Sequence, residues 1–228
     1  MCGRFAVGSQ AGEILNDIGL QLPRDWRPHY NVAPSQPVLA LRQQRGGVEL
    51  AHLKWGLIPA WSKDASIGRR LVMARADTIE TKPAFFDAFR HRRCALLSDG
   101  FYEWRRDAAG STPFYFRFTK PLAIGAIWER WLKYGHDVSS CAVITTTANA
   151  TVAPVHDRMP VLLDRESLNN WLDERTPLSR VRELLNASPA GYVRAFAADK
   201  AVNNPANDSA ELLGEYVVEA RMFGRVLA

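Results

Sequence analysis

Three residues of this chain have types and settings that could carry chemistry. The chain opens Met-Cys-Gly-Arg-Phe. A small residue in second place favours removal of the initiator methionine, which would leave Cys2 with a free α-amine and a thiol on adjacent carbons. Such a 1,2-aminothiol traps an aldehyde as a Schiff base and closes it to a thiazolidine ring. Glu103 lies in the run SDGFYEWRR, flanked by Phe101, Tyr102 and Trp104. Desolvation there raises a carboxyl pKa towards neutrality, which suits proton transfer. The alternative is a Glu103 turned outward or paired with Arg105. His156 sits between Pro154 and Pro160, beside Asp157, where it reads either as a general acid or base or as a turn residue bonded to backbone.

Binding residues are suggested by other segments. Asn31 in HYNVAPSQPV stands next to a proline-bounded turn that it could cap. KWGLIPAWS places Trp55 and Trp61 around Gly56 and Pro59, with Trp55 read as core and Trp61 as either core or exposed. The chain has 23 Arg against 6 Lys, net charge +5 and pI 9.3. Clusters at Arg69-Arg70, Arg90-Arg92-Arg93 and Arg105-Arg106 suit phosphate contact, although a GC-rich genome also raises arginine.

The elements that must position these groups fit 228 residues, enough for one domain with a sizeable core. Cys2, Cys94 and Cys141 have no short spacing, which argues against a disulfide framework and a Cys-x-x-Cys zinc site. Cys94 and Cys141 fall in apolar runs and read as inert core residues. No signal peptide core and no run of about 18 apolar residues is present, so a cytoplasmic protein without a membrane span is expected. No glycine-rich phosphate loop appears, and no metal, cofactor or nucleotide is expected.

Helices are predicted over 9–20 with Ser9 as cap, 82–90 with Phe85, Phe86 and Phe89 as a core stripe, 164–174 capped by Asp164, and 176–187 capped by Thr176 with Pro177 in first position. Short strands lie between them. VLALRQQ and VELAHLKW pair as a hairpin closed by Gly46-Gly47, and DAAGSTP joins another two strands. The pattern predicts an α+β fold, mainly antiparallel.

MCGRF, YNVAP, WGLIPAW, ARADT, SDGFYEW, ITTTAN, VHDRMPV and VNN together, in this order, resemble the SRAP family, the SOS response-associated peptidases. The resemblance spans roughly residues 2–205. It implies a single domain over 2–210 with a β-barrel-like core and peripheral helices, followed by a C-terminal extension, 211–228. It implies an abasic-site processing protein of the DNA damage response. Cys2 would crosslink covalently to abasic sites in single-stranded DNA, with Glu103 and His156 as the acid/base pair. Arg4 and Arg75 would contact phosphate, Asn31 would line the N-terminal pocket, and Trp61 and Trp104 would border the DNA groove.

One departure from the family concerns Met73-Ala74-Arg75, where the family usually reads Asn-Ala-Arg and the asparagine hydrogen-bonds the sugar. Impaired or retuned chemistry, though not its absence, is expected. Stopping at the Schiff base would make the protein a lyase. The other readings are a cysteine autopeptidase in which Cys2 attacks a peptide carbonyl, and a non-catalytic single-strand binder. A monomer, associated with the nucleoid when on DNA, is expected.

Overall fold

The computed structural model describes residues 3–108 and 110–216. In chain order, strand β1 (Arg4–Val7) leads into helix α1 (Ser9–Asp17), then β2 (His29–Val32), β3 (Pro37–Gln44), β4 (Gly47–Trp55) and the short β5 (Met73–Arg75). Helix α2 (Phe86–His91) precedes β6 (Arg93–Leu97), β7 (Gly100–Asp107), β8 (Gly110–Phe118), β9 (Ala123–Lys133) and β10 (His136–Thr147). Strands β11 (Arg158–Pro160) and β12 (Leu162–Leu163), helices α3 (Arg165–Leu172) and α4 (Leu178–Glu183), and β13 (Val193–Ala197) follow.

Five strands close on themselves. β10 pairs with β4, β4 with β3, β3 with β6, β6 with β9, and β9 returns to β10. Closure removes the exposed sheet edges that would invite aggregation. All these pairings are antiparallel except β10–β4; the outer β5 also joins β10 in parallel. A second, wholly antiparallel sheet, in the order β13-β8-β7-β1-β2, covers the barrel. Phe5, Phe101, Phe116 and Phe118 from this sheet enter the core shared with the barrel. The Phe5 ring lies 5.2 Å from that of Trp55. This is the mainly antiparallel, barrel-cored α+β fold expected, with helices at the margins.

Local differences from the sequence reading have identifiable causes. Helix α1 ends at Asp17 because Gly19 takes a φ of +73° and the Leu20 N–H bonds back to the Leu15 carbonyl, a glycine-terminated C-cap. Its start is capped from a distance. The buried Asp99 carboxylate accepts from the Gly8 and Gln10 N–H groups, so Ser9 is not the cap. Asp164 caps α3 as expected, accepting from Ser167 N. Helix α4 begins one residue late, with extended Pro177 in the cap position instead of Thr176. Phe85 and Phe89 are buried, but only Phe86 onward is helical.

In the β3–β4 hairpin Gln44 faces Gly47, so Arg45-Gly46 forms the turn and Gly47 belongs to the strand. The β7–β8 hairpin forms with Asp107 opposite Gly110. Cys94 and Cys141 are fully buried, and burial pushes both thiols up in pKa. Of the stretch assigned to a C-terminal extension, Leu212, Leu213 and Tyr216 pack with Tyr102 and Tyr115, and residues 217–228 lie outside the described residues. No helix among the described residues is long and apolar enough to cross a membrane.

Candidate active site

The register between β1 and β7 organises one end of the covering sheet. Arg4 faces Tyr102 and Phe5 faces Phe101. Continued by one residue, the same register sets Gly3 across from Glu103. Cys2 itself lies outside the described residues. Side chains alternate along a strand. Phe101 and Glu103 therefore share the face towards the barrel, while Tyr102 and Trp104 share the other.

Glu103 is 1% exposed. Burial raises its pKa to about 7, and the negative charge of Asp157 acts in the same direction. It is not turned outward, and Arg105 pairs instead with Asp107 at 3.4 Å. A carboxyl that titrates near neutrality can both give and take a proton under working conditions.

His156 is half-buried on the loop between β10 and β11. Its Nδ1 accepts from the Arg158 N–H at 2.9 Å. Asp157 Oδ1 stands 3.0 Å from the same nitrogen, which is a hydrogen bond only when Nδ1 carries a proton. One ring nitrogen cannot both accept from an N–H and donate to a carboxylate. Burial lowers the His156 pKa, which favours the neutral ring, and the Arg158 N–H assigns its proton to Nε2. The electrostatic effects of Asp157 on Glu103, and of Arg106 on His156, mark β7 and the 156–158 loop as neighbours.

A cationic edge flanks the pair. Arg75 at the end of β5 is exposed and grips Asp77 with two bonds, at 3.2 Å and 2.9 Å. Arg158 is buried; its Nη2 donates to the Thr145 carbonyl at 2.5 Å and stands 3.6 Å from Asp77 Oδ1. Strand pairing makes this cluster, because β5 and β11 both join β10 around Thr145. Sequence reasoning passed over Arg158, although it stands two residues after His156 in VHDRMPV.

Arg4 and Asn31 are knitted into the frame. Arg4 Nη1 donates to Asn31 Oδ1 at 2.9 Å and to the Val202 carbonyl at 2.7 Å. Asn31, buried, directs Nδ2 at the carbonyls of Val202, Asn204 and Asn207, at 3.2, 3.0 and 2.9 Å. It therefore staples the 202–207 segment to the strands beside the N-terminus. Asn31 also lines a cavity of about 500 Å³ with Phe5, Trp26 and Pro205. Trp104, half-buried, donates its indole N–H to Asn203 Oδ1 at 2.8 Å.

Two expectations concern residues placed elsewhere. Trp61 is 57% exposed but stands towards the opposite end of β10, where its carbonyl accepts from Lys133 Nζ. Met73 pairs with Val143 and its side chain packs against the core. A thioether has no proton to offer a sugar hydroxyl. No group of three His, Cys, Asp or Glu residues able to hold a metal ion occurs among the described residues.

A family model described as SOS response associated peptidase (SRAP) matches residues 1–205. The chain is 38% identical over 221 residues to a Bacillus subtilis protein named abasic site processing protein YoaM, covering 93% of this chain and 97% of that one. Abasic site processing protein YedK of Escherichia coli is 28% identical, with 93% and 99% covered. A crystal structure of a Bacteroides thetaiotaomicron protein superposes with a TM-score of 0.83 at 23% identity, covering 93% of this chain and 99% of that one.

Proposed function

The chain belongs to the SOS response associated peptidase family, and from that premise we propose that it processes abasic sites in single-stranded DNA by forming a thiazolidine crosslink through Cys2. The observation that carries this reading is the buried Glu103, titrating near neutrality and facing Gly3, one residue from the aminothiol.

With Met1 removed, the α-amine of Cys2 has an ordinary pKa of about 7.7–8.0 and is substantially nucleophilic at neutral pH. It adds to the C1′ aldehyde of the ring-opened sugar to give a carbinolamine. Glu103 delivers a proton to the hydroxyl, which leaves as water, and a Schiff base forms. The Cys2 sulfur then adds to the imine carbon while the imine nitrogen takes up a proton. The tethered thiol makes this second bond intramolecular and fast. One water is lost overall, and the β-elimination that would break the strand is closed off. His156, neutral with its proton on Nε2, moves a proton during sugar opening. Arg75 and Arg158 supply positive charge for the flanking phosphates.

Intact mass spectrometry tests the reading. Protein lacking Met1, incubated with an abasic single strand, should gain the oligonucleotide mass less one water. Cys2→Ala keeps an N-terminal amine but lacks sulfur, so its adduct should be lost on heating. An equally heat-stable Cys2→Ala adduct would sink the thiazolidine.

A further inference from the structure

The stretch ITTTAN (144–149) runs from the end of β10 into the loop that carries His156. Its last residue, Asn149, is buried, and both ends of its side-chain amide are engaged. Oδ1 accepts from the N–H groups of Thr151 and Val152, each at 3.1 Å. Nδ2 donates to the carbonyls of Ser188 and Pro189, at 3.1 Å and 3.3 Å. A buried amide with two donors and two acceptor sites filled fixes the groups around it in one arrangement.

The first pair of bonds builds a turn. An asparagine side chain that accepts from the backbone two residues onward holds a loop as a cap holds a helix. The Asn149 carbonyl accepts from the Val152 and Ala153 N–H groups. The Val152 carbonyl in turn accepts from the Val155 N–H at 2.9 Å and the His156 N–H at 3.1 Å. Val152 is fully buried in the core and pins the middle of the loop. The Ala148 N–H donates to the Asp157 carbonyl at 2.9 Å and closes its base. Hydrogen bonds thus run from Asn149 through Val152 to the backbone of His156, and the Arg158 N–H then sets the ring.

The second pair moors the turn. With Thr151 Oγ1 donating to the Ala190 carbonyl at 3.0 Å, it ties the loop to the segment that precedes β13. The imidazole is therefore anchored on both sides of the loop, although the amide that anchors it lies seven positions earlier in the chain.

We propose that Asn149 is a positioning residue that holds His156 where it moves a proton during sugar opening. This rests on the abasic-site reading. A shift of about 1 Å at a reacting group can cost about 100-fold in rate. The test measures the crosslinking rate at saturating abasic single strand beside the affinity for an undamaged strand, below the onset of each variant's melt. Asn149→Ala should slow crosslinking about 10- to 100-fold and leave affinity within about 3-fold. Asn149→Asp keeps the acceptor for Thr151 and Val152 and should return the rate to within about 3-fold of the parent. Thr151→Val, a milder change that cuts only the mooring bond to Ala190, should slow crosslinking about 2- to 10-fold. In a His156→Ala background Cys2 still carries both nucleophiles and crosslinks slowly, and there neither Asn149→Ala nor Thr151→Val should cost further rate. Equal slowing in both backgrounds, or a parallel loss of rate and affinity, would overturn the proposal. Failure of the abasic-site reading shows separately, as wild-type protein that forms no covalent adduct by intact mass.

Discussion

The backbone N–H of Arg158 donates to Nδ1 of His156 at 2.9 Å, which fixes the imidazole as the Nε2–H tautomer. Two consequences can be measured by nitrogen NMR. His156 should show a protonated Nε2 at neutral pH and should titrate below the ordinary 6.5, because burial disfavours the imidazolium. Asp157 acts in the opposite sense, raising the pKa. Asp157→Asn should therefore move the titration lower still. A ring protonated on Nδ1 at neutral pH would contradict the assignment.

Glu103 links the chemistry to stability. Its pKa rises on folding from an ordinary 4.5 to about 7. The folded state therefore holds a proton that the unfolded state releases, and stability falls as pH rises from about 4.5 to about 7. Glu103→Gln removes that dependence. At pH 4 the variant and parent should unfold alike, and at pH 8 the variant should be more stable by up to roughly 3 kcal/mol. Crosslinking should move the other way, slowing ~100-fold or more as the proton donor is lost. Denaturant melts across pH, run beside a crosslinking time course, separate the two effects.

Much of this could be seen in the chain beforehand, for physical reasons. Glycines marked the β3–β4 and β7–β8 hairpins: Gly47 and Gly110, the first strand residue after each turn, take φ of +117° and +124°, a backbone that glycine adopts without a Cβ clash. The aromatic neighbours of Glu103 announced its burial. Barrel closure had no local mark: the parallel β10–β4 pairing joins Ser140 to Lys54, far apart in sequence. Arg158 was one arginine among 23, and only the β10–β11 pairing sets it beside Thr145 and Asp77. Asn31 looked like a turn cap because its partners lie some 170 residues onward.

That Asn31 staple yields a stability prediction. Asn31→Ala removes the donors facing three carbonyls and the acceptor for Arg4. Buried polar groups left without partners cost about 1–3 kcal/mol each, softened where water enters. We expect a loss of about 2–3 kcal/mol, with faster hydrogen exchange confined to residues 202–207 and the neighbouring strands. Asn31→Asp restores only the acceptor for Arg4, so it should not rescue. Unchanged exchange over 202–207 would count against the staple.

The clamp between Arg75 and Asp77 makes a prediction with the less intuitive sign. Both side chains are about half exposed, so the pair contributes little to stability, typically under about 1 kcal/mol. Its guanidinium fork suits a phosphate as well as a carboxylate. DNA must displace Asp77 or share Arg75 with it, and Asp77 also stands near Arg158. Asp77→Ala should therefore strengthen binding to intact single strands, about 3- to 10-fold at low salt. The slope of log affinity against log salt should steepen by about one, and Arg75→Ala should make it shallower by about the same amount. Weaker binding by Asp77→Ala would mean that the carboxylate orients Arg75 for the phosphate rather than competing with it.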